Sequence, residues 1–359
     1  MKIRVAILDR DVRYLEKLMS AFLKDYFEKI EIYSYTNYEN AIEGITNEKI
    51  NVFLTSTDYE VASEDIPKNC EVAYLVDTKD IETYRGVKAV CKYQTVEALY
   101  KNIVNLFSNV ATDITAFAGL AGNACNVYGF MSASGGTGSS TAAAACAMHL
   151  AKAGKKVVYL NYETLGDPNL YFSAQGSETF RDVIFALKSK KGNLALKLAA
   201  TVKRDKSGVE FFATVPLALD FAELTVKESI DIIKTLKDSG SYEYIVVDMD
   251  FSLEKDSLML MNELNELIII SDGSPISNSK LKRAIDSLKI IEEQMEIPIF
   301  KNTAILYNRF SSKVSSKIVL DGIKELGGIK RYEGYEEAAL LEELSSLPVF
   351  DVFIAKKES

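Results

Sequence analysis

The residues with the clearest chemical potential form a glycine-rich loop between an apolar strand and an alanine-rich helix. The loop contains Gly135, Gly136 and Gly138, and Ser140 and Thr141 follow at the start of the helix. Glycines allow backbone N–H groups to turn toward an anion, and a helix N-terminus adds positive partial charge. A hydroxyl in the first helical turn can also bind Mg²⁺. This spacing favours a phosphate-binding loop over the alternative, a loop that only caps the helix.

The lysine that usually accompanies such a loop is absent from this sequence. In the pattern G-K-S/T its position is occupied by Ser139, which lies between Gly138 and Ser140. The replacement removes one charge-assisted hydrogen bond, typically worth about 1.5–3 kcal/mol, or roughly ten- to a hundred-fold in affinity. We therefore expect phosphate binding to be weakened rather than abolished.

Composition limits the classes of protein that can carry this loop. The 359 residues are 48% hydrophobic and 26% charged, which is typical of a soluble globular chain with two domains. Lysine and arginine number 42 against 51 acidic residues, so the net charge is −9 and a broad nucleic-acid-binding face is not expected. No apolar run reaches the roughly 18 residues of a membrane-spanning helix, and we expect no secretory signal.

The cysteines and the single histidine do not indicate a metal centre. Four cysteines are scattered without a C-x-x-C pair, so we expect reduced thiols in a cytosolic protein. His149 is the one histidine and lies inside the alanine-rich helix. A packing role is the better interpretation of His149 than membership of a Ser-His-Asp triad.

Strand-like and helix-like segments alternate along almost the whole chain, which predicts an α/β fold. Continuous apolar runs in the second part are expected of strands buried in a parallel sheet. We expect two doubly wound domains, over residues 1–107 and 127–359, joined by a linker over residues 108–126. Within the second domain the pattern also predicts a helix over residues 315–326 and a strand-like alternation over residues 347–357.

The glycine loop resembles the deviant Walker A motif, K-G-G-x-G-K-S/T-S/T, of the MinD/ParA class of P-loop ATPases. The resemblance implies ATP as the ligand, with Mg²⁺ held by Ser140 and by Asp248, which ends an apolar strand like that of Walker B. Both lysines of the motif are serines here. In that class the first lysine reaches across a dimer, and the second holds the β- and γ-phosphates. The aligned residues are Ser134, Gly135, Gly136, Thr137, Gly138, Ser139, Ser140 and Thr141.

Two further segments are similar to motifs of the same class. In the strand that begins at Val157, Asn161 replaces the water-positioning aspartate and Glu163 replaces a second aspartate. Asn308 and Arg309 follow a later apolar strand, and the resemblance implies that this asparagine reads the adenine edge. Since the lysines and the water-positioning aspartate are lost, we assign no catalytic residue and expect little or no hydrolysis.

The first domain resembles a response-regulator receiver. Asp9 and Asp11 follow its first strand, although they could equally be ordinary acids at a strand end. The position of the phosphoacceptor aspartate is occupied by Ser56, and Lys92 matches the receiver lysine. The resemblance implies a flavodoxin-like sheet that does not undergo phosphoryl transfer.

A degenerate receiver followed by a degenerate MinD-type ATPase is the arrangement of the TadZ/CpaE family of pilus-assembly localisation proteins. The resemblance implies a scaffold that binds ATP and Mg²⁺, forms a homodimer through its ATPase domain and recruits assembly proteins, including the secretion ATPase. It also implies a cytoplasmic location at the cell pole, where those partners bring the protein to the inner face of the membrane. No nucleic-acid partner is expected. Two alternatives are an active ParA/MinD-like ATPase that positions cargo or DNA, and a receiver-type signalling regulator.

Overall fold

The computed structural model describes residues 2–111, 125–189, 192–295 and 302–354. The chain divides into two compact units. The first unit takes in the described residues up to 117 together with residues 185–201, and the second takes in the remainder.

The first unit is built on a mostly parallel sheet. Its strands are β1 (Ile3–Leu8), β2 (Ile30–Tyr35), β3 (Val52–Ser56), β4 (Glu71–Val76), β5 (Thr83–Tyr84) and β6 (Val87–Cys91). Their order among the described residues is β2-β1-β3-β4-β6-β5, and β5 alone runs antiparallel to its neighbour. The parallel part has the strand order of a flavodoxin-like sheet, so the fold predicted for this domain is confirmed.

Three helices of the first unit begin at residues that cap them. They are α1 (Val12–Asp25), α2 (Tyr38–Asn47) and α3 (Val96–Val110). The side chains of Asp11, Asn37 and Thr95 each accept a hydrogen bond from a backbone N–H in the first turn, as N-cap residues do. Helices α1 and α3 pack on one face of the sheet and α2 on the other, so both faces bury apolar residues.

The second unit contains a larger sheet that is parallel except at one edge. Its strands are β7 (Asn126–Met131), β8 (Val157–Tyr162), β9 (Lys203–Arg204), β10 (Glu210–Phe211), β11 (Tyr244–Met249), β12 (Glu266–Ser271), β13 (Thr303–Phe310) and β14 (Lys324–Lys330). The order among the described residues is β14-β13-β12-β7-β11-β8-β10-β9, with β9 antiparallel to β10. Because β7, β8, β11 and β13 run parallel, their carboxyl ends lie at the same edge of the sheet.

The helices that follow β7 along the chain are α4 (Ser139–Lys152), α5 (Phe180–Ser189), α6 (Leu194–Thr201), α7 (Ala218–Ala222), α8 (Val226–Asp238), α9 (Lys255–Met261), α10 (Pro275–Met295), α11 (Glu337–Leu344) and α12 (Asp351–Ile354). Alanines of α4 are fully buried against the sheet, so the helix lies close to β7 and β11. His149 in α4 contacts Ser345 O and Asp351 Oδ1, at 2.9 and 3.0 Å. These contacts give His149 a structural place in the described part of the chain.

Two predicted elements near the C-terminus are wrong. The helix predicted over residues 315–326 is replaced by a loop and by the start of β14, which pairs in parallel with β13. Gly322 lies in this segment and Gly327 and Gly328 follow it directly, and glycines disfavour a helix. The backbone groups of β14 instead form hydrogen bonds with β13. The predicted strand after Leu347 is a 3₁₀ turn followed by α12, which places Phe350 and Phe353 together in the core.

Helix α6 packs in the first unit, although the sequence assigned it to the domain over residues 127–359. Leu196 and Ala200 join the apolar core that contains α3. Lys197 Nζ donates to Asn105 Oδ1 at 2.6 Å, and both residues are buried. The linker predicted over residues 108–126 differs as well, because α3 continues to Val110 and β7 begins at Asn126. Residues 112–124 of that linker lie outside the described residues.

Candidate functional site

The glycine loop connects β7 to α4 and has the backbone of an anion-binding turn. Gly136 and Gly138 both have φ of +78°, in the left-handed region that glycine adopts without strain. Gly138 is the N-cap residue of α4, and its carbonyl accepts the first helical hydrogen bond, from Ala142 N at 3.0 Å. The N–H groups of the first helical turn have no carbonyl within the helix to bind. They are therefore available to an anion at the carboxyl edge of the sheet.

Asn308 and Arg309, at the end of β13, hold this loop from the side. Asn308 is buried, and its Nδ2 donates to the carbonyls of Thr137 at 2.9 Å and Gly138 at 3.2 Å. Arg309 Nη1 donates to Gly136 O at 2.8 Å. The resemblance implied that Asn308 contacts adenine, whereas the structure places its amide nitrogen on the loop carbonyls.

A hydroxyl and two carboxyl groups meet beside the first turn of α4. Ser140 Oγ donates to Glu163 Oε2 at 2.9 Å. Asp248, at the end of β11, is fully buried, and its Oδ2 accepts from Tyr159 Oη at 2.8 Å and from Asn161 Nδ2 at 3.2 Å. Its other oxygen, Oδ1, has no hydrogen-bond partner among the described residues. The structure thus brings together Ser140 and Asp248, which the sequence proposed as the metal site.

Burial disfavours the charged forms of both acids. Burial, and next the charge of Glu163, raise the pKa of Asp248 well above its ordinary range. Burial likewise raises the pKa of Glu163, while the hydrogen bond from Ser140 acts in the opposite direction. A cation bound next to these groups would reverse the effect, because it stabilises the charged carboxylates.

The donor set fits a Mg²⁺ ion that arrives with a phosphate rather than a metal held by protein alone. Mg²⁺ usually keeps several waters and binds one or two carboxylates together with substrate phosphates. The buried, unpartnered Oδ1 of Asp248 and the hydroxyl of Ser140 supply oxygen donors of that kind. Within the described residues no group of three or more His, Cys, Asp or Glu could hold a metal. Since the protein would supply so few oxygen donors, phosphate and water would occupy the remaining coordination positions of a bound Mg²⁺.

A cleft of about 250 Å³ opens beside Glu163 at the end of β8. Its apolar wall contains the aromatic rings of Phe180, Phe212 and Phe221. Sequence reasoning missed these residues because they come from separate segments without a common motif. It also missed Tyr159, although a tyrosine two residues before Asn161 in a buried strand is a visible signal of a polar partner nearby.

The first unit has its own cluster at the carboxyl ends of β1, β3 and β6. Lys92 Nζ lies 2.6 Å from Asp9 Oδ2, and both side chains are almost completely buried. Asp11 caps α1, and Ser56 Oγ donates to Asp58 Oδ2 at 3.3 Å. The lysine that a receiver would use at its phosphoacceptor is thus paired with Asp9 in this chain.

Comparison with protein families identifies the first unit. Residues 1–108 match the family model described as the TadZ-like receiver domain. The match confirms the receiver-like domain that the sequence predicted for this part of the chain. No curated protein matches the chain. No helix among the described residues is both long enough and apolar enough to cross a membrane.

Several solved structures are similar to this chain. A ParA family ATPase from Chlorobium tepidum TLS is 25% identical, with a TM-score of 0.49 over 66% of this chain and 93% of that chain. The MinC:MinD cell division protein complex of Aquifex aeolicus is 19% identical, with a TM-score of 0.49 over 66% and 97%. The septum site-determining protein MinD from Pyrococcus horikoshii OT3, complexed with Mg-ADP, is 16% identical, with a TM-score of 0.48 over 66% and 100%.

Proposed function

We propose, from the premise that residues 1–108 are a TadZ-like receiver domain, that this chain is a localisation scaffold of Tad-type pilus assembly. Its second unit binds ATP with Mg²⁺ and hydrolyses it very slowly or not at all. The observation that carries nucleotide binding is the loop backbone, with Gly136 and Gly138 at φ +78° beside the Ser140 hydroxyl. This backbone is retained although both loop lysines are absent.

Binding and hydrolysis depend on different groups in this site. The backbone N–H groups of residues 135–141 bind phosphate oxygens, while Ser140 and Asp248 supply oxygen donors toward Mg²⁺. Bound Mg²⁺ would supply positive charge next to the phosphates. Hydrolysis additionally requires charge stabilisation in the transition state and an oriented water. Ser134 and Ser139 provide no positive charge, and the amide of Asn161 can hold a water but cannot accept its proton. Turnover therefore suffers more than binding.

The same proposal includes partners and location. The chain forms a homodimer through its second unit, and nucleotide acts as a structural clamp in that dimer. It recruits pilus and secretion assembly proteins, including the secretion ATPase, at the cell pole, and it meets the inner membrane through them. The Asp9–Lys92 pair and Ser56 support a receiver domain that serves as a docking module and is not phosphorylated.

A titration with a fluorescent ATP analogue, with and without Mg²⁺, tests nucleotide binding. Ser140→Ala removes the hydroxyl donor and should weaken Mg²⁺-dependent affinity about ten-fold, the effect of one lost polar contact. Ser287→Ala, at a half-buried site on α10 where the hydroxyl bonds only to Arg283 O, is the matched control and should bind like the wild type. Light scattering of the same samples reports the dimer.

Two results contradict the proposal. One is a failure of the loop to act as a nucleotide site, seen either as no detectable binding at millimolar ATP or as an unchanged Mg²⁺-dependent affinity in Ser140→Ala; the loop would then be only a helix cap. The other is turnover above about 1 per second, which is the range of ordinary enzymes.

A further inference from the structure

Strand β13 departs from regular geometry at the residues that contact the glycine loop. Its pairing with β14 shifts register between Tyr307 and Phe310, which encloses Asn308 and Arg309. Arg309 has φ of +53°, a left-handed conformation that is unfavourable for a non-glycine residue. Irregularities of this kind redirect side chains and are common next to functional sites. Here the irregularity directs Asn308 and Arg309 onto the loop.

The loop is fitted to this approach. A Cβ atom at Gly138 would lie 2.6 Å from Asn308 Nδ2 and 3.2 Å from Arg309 Nε, so a larger residue there would displace both side chains from the loop. Gly138 therefore serves both the left-handed turn of the loop and the approach of the two side chains. The guanidinium is held against the loop by its hydrogen bond to Gly136 O at 2.8 Å.

The loop itself carries no positively charged side chain to pair with a phosphate. The two motif lysines are Ser134 and Ser139, and the nearby acids Glu163 and Asp248 are negative when ionised. A phosphate group bound there would add further negative charge. Arg309 is exposed at the loop, and within the described residues only one of its N–H groups has an assigned acceptor. A guanidinium has five N–H donors and suits phosphate oxygens well.

We propose that Arg309 is the phosphate-binding cation of this site and substitutes for the lysines lost at Ser134 and Ser139. This inference rests on the proposed function, since it assigns the residue that would bind the phosphates of the nucleotide. The ligand class is a nucleoside di- or triphosphate, and Arg309 recognises its phosphates rather than its base.

The test compares ATP with adenosine in competition against a fluorescent ATP analogue. Arg309→Gln removes the charge but keeps an N–H donor for Gly136 O. Glutamine, like arginine, is not branched at Cβ, so the left-handed backbone conformation is about equally unfavourable for both residues. We expect its affinity for ATP to fall about ten- to a hundred-fold while its affinity for adenosine stays unchanged. Arg283→Gln, on the exposed face of α10, is the control and should bind both ligands like the wild type.

A second variant distinguishes the effect of the positive charge of Arg309 from the effect of its contact with the loop. Adding Ser139→Lys to Arg309→Gln returns a cation to the loop, so ATP affinity should recover although the side chain at position 309 stays uncharged. Thermal melting of each variant shows whether it is folded.

Equal ATP affinity in Arg309→Gln and the wild type would overturn the inference and leave Arg309 as a brace for the loop. An equal loss for ATP and adenosine would also overturn it, because Arg309 would then serve the base. In both cases the wild type still binds ATP and the proposed function stands. A wild type that binds no nucleotide would overturn both.

Discussion

Asp9 follows strand β1, and Asp248 lies at the end of strand β11. The two residues are only 2% and 0% exposed, but the groups that contact their carboxylates differ. Asp9 has the ammonium group of Lys92 at 2.6 Å, so its charge is neutralised internally. Asp248 has hydroxyl and amide donors on one oxygen and, among the described residues, no hydrogen-bond partner on the other. A buried charge without a counterion is costly, and this cost supports our proposal that a cation binds at the second site, whereas Asp9 already has Lys92 as its counterion.

The raised pKa of Asp248 predicts how the metal-free protein responds to pH. A carboxyl whose pKa is higher in the folded than in the unfolded state contributes stability at low pH, and that contribution is lost as pH rises through the folded pKa. Asp248→Asn removes the titration and can still accept from Tyr159. Without Mg²⁺ it should melt a few degrees above the wild type at pH 8, since 1 kcal/mol is worth about 2–4 °C in a unit of this size. The difference should narrow toward pH 5.

Thermal melts across this pH range, with the chelator EDTA present, make the measurement. Asp231→Asn, at an exposed position of α8, is the control and should follow the wild type at each pH. A variant that melts below the wild type at pH 8 would show that the Asp248 charge is already compensated within the fold.

At the scale of elements, periodicity and caps predicted most of the structure but not the places where tertiary packing decides. The alanine-rich segment after the glycine loop predicted a helix, which the structure shows as α4. Residues 315–326 also contain apolar residues at helical spacing, yet pairing with β13 draws the later part into a strand. The glycine loop was visible in the sequence, since its glycines are adjacent. The contact of Arg309 with that loop was not, because it depends on a local irregularity of β13.

The position of helix α6 likewise depends on tertiary packing that the sequence did not predict, and it leads to a prediction about the first unit. Leu196 is 2% exposed and belongs to the same apolar core as α3, although α3 lies far from Leu196 in the sequence. Leu196→Ala should cost about 2–5 kcal/mol, as other truncations of buried leucine do. Hydrogen exchange of the α3 amides should therefore accelerate, since their protection depends on the packing of α6.

Mass spectrometry of hydrogen exchange on the full chain measures this effect for each element. Leu170→Ala is the comparison, because Leu170 is 57% exposed and should leave α3 protected. If Leu196→Ala accelerates exchange only within α6, then α6 covers the first unit without stabilising it.

At the scale of the whole molecule, charge separates the scaffold proposal from a ParA-like ATPase that moves cargo over DNA. Binding to DNA draws on clustered lysine and arginine, because each phosphate neutralised releases a counterion. This chain has 42 basic and 51 acidic residues, a net charge of −9. Several lysines also form ion pairs with acidic side chains, as in Lys92–Asp9, Lys152–Glu342 and Lys234–Glu263. The molecule should therefore repel DNA over much of its surface.

We expect no shift of a duplex DNA in a gel assay at low salt, with or without ATP and Mg²⁺, at protein concentrations up to tens of micromolar. Low salt is the most demanding condition, because it strengthens every contact between a basic group and a phosphate. Non-specific binders typically have dissociation constants of about 10⁻⁴–10⁻⁶ M at physiological salt and bind far more tightly at low salt. A shift that appears only with ATP and disappears as salt is added would favour the DNA-dependent ATPase. A shift that is insensitive to salt would not report phosphate binding, and the absence of a shift leaves the scaffold as the function that agrees with the charge of the chain.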